Sequence, residues 1–244
     1  MAPRAKLVVA AIAAAALAAG IAAQVFPGPP DEGEKPALGL FTSLPIYWAE
    51  SDGLEAALDA NGPMHWARTA LEQDNRLVPL DTLEPEQVAG LTRLILAQPR
   101  PLAPSENVAL DDWVRGGGRL LLFADPLLTE HSEFAIGDRR RPEDVIVLSP
   151  ILARWGLELQ FDEDQPAGER TGDVFGASVA VHLAGTLAKR PTDAPSECAL
   201  SSDRLAADCM IGKGRVLIVA DAAMLENDRV DAAPLAALVA RLAR

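Results

Sequence analysis

Ser105-Glu-Asn-Val-Ala-Leu110-Asp-Asp-Trp-Val-Arg115-Gly-Gly-Gly-Arg-Leu120-Leu-Leu-Phe-Ala-Asp125-Pro126 carries two periodicities back to back, and their order decides the fold. Ser105 is placed to cap a helix whose first turn holds Glu106. Leu110, Trp113 and Val114 recur at helical spacing, and Gly116-Gly117-Gly118 ends the helix. Arg119 to Ala124 then reads as a buried strand. Upstream, Ala37 to Thr42, Arg76 to Leu80 and Leu91 to Ala97 are strand-like, and a helical pattern runs from about Gly62 to Gln73. Asp52-Gly-Leu-Glu55 forms a capping box for a short helix that Asn61-Gly62 breaks. This alternation predicts a mostly parallel sheet with helices on both faces.

Downstream, Leu127 to Val145 contains the charged stretch Gly137 to Pro142, an exposed loop. Ser149 to Trp155 reads as a short helix leading into a strand at Leu157 to Phe161. After the acidic turn Asp162-Glu-Asp164, Gly176 to Leu183 reads as a strand. Glu197 to Leu200 and Ala207 to Met210 form a β-hairpin around Ser201-Ser-Asp-Arg204, with a strand at Arg215 to Ala220 and a terminal helix at Ala233 to Leu242. No internal repeat is visible.

The chain has 244 residues, 49% of them hydrophobic and 23% charged, a composition that excludes disorder for most of it. Residues 1–30 hold Arg4 and Lys6 and no acid, which leaves 20 basic against 35 acidic residues in the remainder, a charge of −15. Such a body repels nucleic acid and anionic lipid. After Met1 to Lys6, the apolar run Leu7 to Ala23 makes residues 1–23 a signal peptide or an N-terminal membrane anchor. Small residues favour cleavage after Ala22 or Ala23, while Val25 and Phe26 extend the run toward a tether. The basic flank precedes the run and the acidic flank follows it, which places the body in the periplasm, soluble or anchored to the inner membrane. No cysteine follows the run, so no lipoprotein anchor is expected. Residues 24–36 have linker composition, and 37–244 read as a single α/β domain. In an oxidising compartment Cys198 and Cys209, facing each other across the hairpin, are expected to form a disulfide, the alternative being two thiols.

Glycine clusters do not mark phosphate sites here. Gly116-Gly117-Gly118 follows a helix and precedes a strand, the reverse of a phosphate loop, and Gly212-Lys-Gly-Arg215 joins two strands. Gly176-Ala-Ser178-Val-Ala180 approximates a nucleophile elbow, but the alternation of Val179, Val181 and Leu183 explains it as a strand. A serine hydrolase using Ser178 or Ser43 with His65 or His131 is kept as an alternative. His65, His131 and His182 are isolated and no metal motif occurs, so neither metal nor cofactor is expected.

Open parallel sheets bind ligands at the carboxyl ends of their strands. Those ends carry Ser43, Tyr47, Trp48 and Glu50 after the first strand, Gln98 after the third, Asp125 after the fourth and Asp221 after the last. These seven are the candidate ligand- or partner-binding residues. The same pattern also suits simple loop packing, with Asp125 and Asp221 capping the turns that follow them.

Leu110 to Pro126, Leu152-Ala-Arg-Trp-Gly-Leu157 and Gly212-Lys-Gly-Arg-Val-Leu-Ile-Val-Ala-Asp221 together resemble segments of the GldG-type auxiliary component of ABC transport systems. The likeness runs from about Ala37 to Phe161 and from Asp208 to Leu242. It implies a class I glutamine-amidotransferase-like or flavodoxin-like α/β sandwich lacking the catalytic cysteine, since the elbow would fall near Asp125-Pro126. It further implies a non-enzymatic binding or scaffolding module, an auxiliary subunit of an ABC-type transport or motility-related envelope complex. An ABC permease or another envelope membrane protein would be its partner. A periplasmic small-ligand receptor using Tyr47, Trp48 and Asp125 is the other alternative.

Overall fold

The computed structural model describes residues 35–50, 64–226 and 230–242. The expected leader, the linker up to residue 34 and the short helix at Asp52 to Glu55 lie outside the described residues. Four strands, β1 (Ala37–Thr42), β2 (Arg76–Pro79), β3 (Arg93–Ala97) and β4 (Arg119–Phe123), alternate with helices α1 (Trp66–Asp74), α2 (Pro85–Val88) and α3 (Pro104–Arg115). Then come α4 (Ser149–Arg154), β5 (Leu157–Gln160), β6 (Glu169–Val174), β7 (Ala177–His182), β8 (Thr186–Lys189), β9 (Ser196–Leu200), β10 (Ala206–Ile211), β11 (Gly214–Val219) and α5 (Ala232–Leu242).

The main sheet has the order β2-β1-β3-β4-β11-β10-β9. Its first five strands are parallel, and β10 and β9 complete it antiparallel. With the strand order β2-β1-β3-β4, the right-handed rule for parallel crossovers assigns α1 to one face and α2 and α3 to the other, and contacts join α2 to α3 and α5 to α1. The central strands are apolar and buried along nearly their whole length, as a sheet covered on both faces requires. The fold is therefore the mostly parallel α/β sandwich with a C-terminal hairpin and terminal helix that the alternation predicts. Among the described residues, no helix is long and apolar enough to cross a membrane.

Details of α3 differ from expectation. Its first turn is set by Pro104, with Ala103 as the flanking residue, so Ser105 lies inside the helix and donates its hydroxyl to Glu84. Glu106 supplies the cap instead, accepting the N–H groups of Ala103 at 2.8 Å and Leu83 at 3.1 Å and pairing with Arg100. Leu110 and Val114 are buried, while Trp113 is half-buried and donates its indole N–H to Leu91 O. The helix also buries Asp111, which accepts from Arg115, Arg154 and the fully buried Trp155.

A strand absent from the sequence reading, β6, pairs antiparallel with β7. Their two-residue connection, Phe175-Gly176, takes positive φ at both positions, the geometry of a primed hairpin turn. Gly176 thus serves a hairpin, and Ser178 sits exposed within a strand opposite Asp173 rather than at a strained elbow. On the outer hairpin Cys198 and Cys209 are register partners joined by a disulfide. Gly214 opens β11 where it crosses the turn between α3 and β4, held by the Lys213 N–H on Arg115 O and the Arg215 N–H on Gly118 O.

Candidate functional site

In a sheet ordered β2-β1-β3 the order of strand addition switches sides between the parallel strands β1 and β3, and the crevice outside their carboxyl ends is where this class of fold binds ligands. Here the protein's own groups fill that position. Gln98, fully buried at the end of β3 with φ +43, accepts the Asp125 N–H on its side-chain oxygen at 2.9 Å. Its amide nitrogen donates to Asp125 O at 3.1 Å and Glu143 O at 2.8 Å. The Ser43 hydroxyl donates to Gln98 O at 2.5 Å and accepts the Glu143 N–H at 3.0 Å. The segment after β4 folds back on itself through Leu128 N–H on Asp144 O and Ile146 N–H on Asp125 O. Glu143 therefore lies over the crevice like a stopper, tied to β1 by Ser43 and to β3 by Gln98.

Around this closed crevice the remaining candidates form a rim. The Arg68 guanidinium lies 4.1 Å from the Tyr47 ring centroid and donates to Tyr47 O. Trp48 meets Tyr47 edge to face and is 72% exposed. Glu50 is turned inward, accepting the Ser132 hydroxyl at 2.7 Å and the Glu133 N–H at 2.9 Å. Exposed Leu127, Ile136, Val145 and Val147 belong to the folded-back segment itself.

Asp125 and Asp221 come together beneath the rim, and the capping roles are real. Asp125 accepts Leu127 N–H at 2.9 Å and Ala222 N–H at 3.1 Å; Asp221 accepts Ala223 N–H at 2.7 Å and His182 N–H at 3.0 Å. Both are nearly fully buried, and Glu226, also buried, accepts the Thr129 hydroxyl at 2.5 Å. Burial pushes Asp125 up to about 6 against its two amide donors, with the negative Glu226 adding to the rise. Burial and then the charge of Asp125 push Asp221 up to about 8. Asp125 and Asp221 thus form a coupled buried pair that retains a proton above the usual carboxylate range. Among the described residues no group of three His, Cys, Asp or Glu is arranged to hold a metal ion.

Glu143, Glu226 and Thr129 are not in the sequence-derived set, and no local pattern marks them. His65, in contrast, is buried and neutral, its Nδ1 accepting the Ala67 N–H, and burial lowers it to about 4. His131 is exposed beside Glu133. Among the described residues, Ser43 bonds Gln98 O and the Glu143 N–H, and no hydrogen bond joins Ser43 or Ser178 to a histidine.

Gln98→Ala is expected to destabilise the protein by roughly 1–3 kcal/mol, the cost of leaving buried backbone groups unpaired. Limited proteolysis should then cut first within residues 127–147. An unchanged cleavage pattern would mean that Gln98 does not hold the segment.

A family model described as Domain of unknown function (DUF4350) matches residues 60–243. No curated protein sequence matches the chain. Similar solved structures include a ThuA-like protein from Bacteroides uniformis, at 11% identity over 89% of this chain and 94% of that one, TM-score 0.41. An exo-β-1,4-mannosidase from Opitutaceae bacterium strain TAV5 aligns at 14% identity over 78% of this chain and 31% of that one, TM-score 0.45. A β-galactosidase from Rahnella sp. R3 aligns at 15% identity over 85% and 31%, TM-score 0.48. The chain spans about a third of the length of these glycosidases.

Proposed function

We propose, from the premise that the chain belongs to the family of DUF4350 domains, that it is a non-enzymatic binding module whose rim at the carboxyl end of the sheet docks on a protein partner. The carrying observation is the crevice between β1 and β3, spanned by the Glu143 backbone, which is bonded to Ser43 and Gln98. A fold that spends its usual ligand position on internal hydrogen bonds retains only its outer surface there for recognition. That surface displays Trp48 and, 88% exposed, Ile136. Exposed tryptophan is a common anchor of protein interfaces, and apolar groups rimmed by polar ones mark contact sites.

The partner class follows from charge and from the amino terminus. A body at −15 favours a partner surface bearing lysine and arginine, and the apolar run at residues 7–23 suits export with or without a membrane tether. The GldG-type resemblance of the α3-β4 and β11 segments supports an auxiliary subunit beside an ABC permease or another envelope membrane protein, in a transport or motility-related complex. Crosslinking the full-length protein in native membranes, followed by purification and mass spectrometry, should recover such a permease or its ATPase. Trp48→Asp with Ile136→Asp, both at exposed positions, should abolish the recovery while leaving the melting temperature unchanged. Recovery of the protein alone, or undiminished recovery with the double variant, would overturn the assignment.

A further inference from the structure

At the other end of the sheet three parallel strands each carry an arginine at the same level. Arg93 of β3, Arg119 of β4 and Arg215 of β11 are register partners, so their side chains leave the same face. Like charges at adjacent positions repel, and one of the three is answered: Arg215 donates to Asp208 at 2.8 and 2.6 Å. Arg93 and Arg119 find only neutral oxygens. Arg93 donates to the Asn75 side-chain oxygen at 2.8 Å and Arg119 to Leu242 O at 2.6 Å. The negative end of α5 eases Arg119. Arg93 has no such relief, and burial lowers its pKa with no carboxylate opposing the drop. In a chain with 35 acids against 22 bases this is a conspicuous vacancy of negative charge.

Beside Arg93, a cavity of about 300 Å³ opens between α1 and α5, walled by Leu71, Leu235, Ala236 and Val239. Asp74 also lines it and makes no ion pair with Arg93. At roughly 30 Å³ per non-hydrogen atom, the share of a water in the liquid, the space suits on the order of ten atoms. We propose that this cavity binds a small aliphatic carboxylic acid, its carboxylate on the planar fork of Arg93 and its chain between α1 and α5. The guanidinium supplies the geometry a carboxylate matches with two parallel N–H bonds, and the walls supply the apolar surface that a free inorganic anion cannot use.

Octanoate has the right size and is the probe. Titration calorimetry of the full chain should show saturable binding of one octanoate, with 1-octanol and acetate each at least about tenfold weaker. Arg93→Gln should weaken octanoate by about tenfold or more, since a charge-assisted pair is lost. Ala236→Trp, at an exposed position of α5, should fill the cavity and remove binding with Arg93 intact, and circular dichroism should show both variants folded. The assignment is overturned by the absence of saturation up to about 5 mM octanoate. Equal binding of 1-octanol, unchanged affinity in Arg93→Gln, or tighter binding of inorganic phosphate than of octanoate would overturn it as well. Since this cavity lies at the opposite end of the sheet from the Trp48 rim, the outcome is independent of the partner-docking reading.

Discussion

Gly214→Ala is expected to cost at or above about 3 kcal/mol, the upper end of ordinary overpacking, and to shift urea unfolding to correspondingly lower denaturant. A Cβ there would overlap the carbonyl oxygens of Val114 and Gly118 and lie 2.9 Å from the Val114 carbonyl carbon. All three are backbone atoms at the end of α3 and the start of β4, so no rotamer change relieves the clash. Relief requires that β11 back away, which strains the Arg215 N–H bond to Gly118 O and the Lys213 N–H bond to Arg115 O. Gly117 offers the contrast. It has φ +122 and open space around its missing Cβ, so Gly117→Ala pays for conformation alone, on the order of 1–3 kcal/mol. A Gly214→Ala variant that melts like the parent, or is milder than Gly117→Ala, would contradict the close approach of β11 to that turn.

A second large effect is a loss of stability with rising pH that Asp221→Asn should blunt. Burial and the charge of Glu226 hold Asp125 up to about 6, and burial and the charge of Asp125 hold Asp221 up to about 8, whereas in the unfolded chain both titrate near 4. Between those values the folded state binds more protons than the unfolded one, so stability falls as pH rises. The contribution of these groups is complete below about pH 4 and is lost as pH climbs through 6 to 8. Each proton so retained makes the slope steeper by up to about 1.4 kcal/mol per pH unit. Facing the pair are Glu226, which adds negative charge, and the N–H groups of Leu127, His182, Ala222 and Ala223. Asparagine at 221 keeps one acceptor and removes the ionisation, so urea melts of the variant between pH 5 and 9 should show a flatter fall than the parent. Parallel curves for the two proteins would refute the shared proton. At the acid end the sign reverses: Glu106, paired with Arg100 and held at about 2, stabilises above its unfolded value and ceases to do so as pH falls through 2.

The order of elements was legible because residues 105–124 switch from a 3.6 to a continuous apolar pattern across three glycines, and that junction recurs in weaker form along the chain. Ser105 misled as a cap because Pro104, one residue earlier, fixes the backbone angle that begins the helix. β6 was hidden for a different reason. Glu169-Arg-Thr-Gly-Asp173 is polar and contains glycine, and it becomes a strand because β7 pairs with it and Leu205 fills the space over Gly172. That is tertiary context overriding propensity. At the candidate site, Gln98, Asp125 and Asp221 were readable as strand ends. Glu143 and Glu226 were not, since each reaches the sheet from a loop whose path no local pattern encodes. Asp111 looks like a solvated helix residue until Arg154 and Trp155, 43 and 44 residues away, close over it.

The position of β11 has a consequence for how the protein comes into being. It lies between β4 and β10 in space, yet among the described strands it is the last made, and its register partner Arg119 precedes Arg215 by 96 residues. A growing or threading chain can assemble β1 to β4, but their open side waits, unpaired, until residue 219 is delivered. Premature termination anywhere before that point leaves an exposed apolar edge rather than a smaller stable protein. Manufacture is therefore all or nothing, and the interval before the last strand arrives is when a chaperone is most needed.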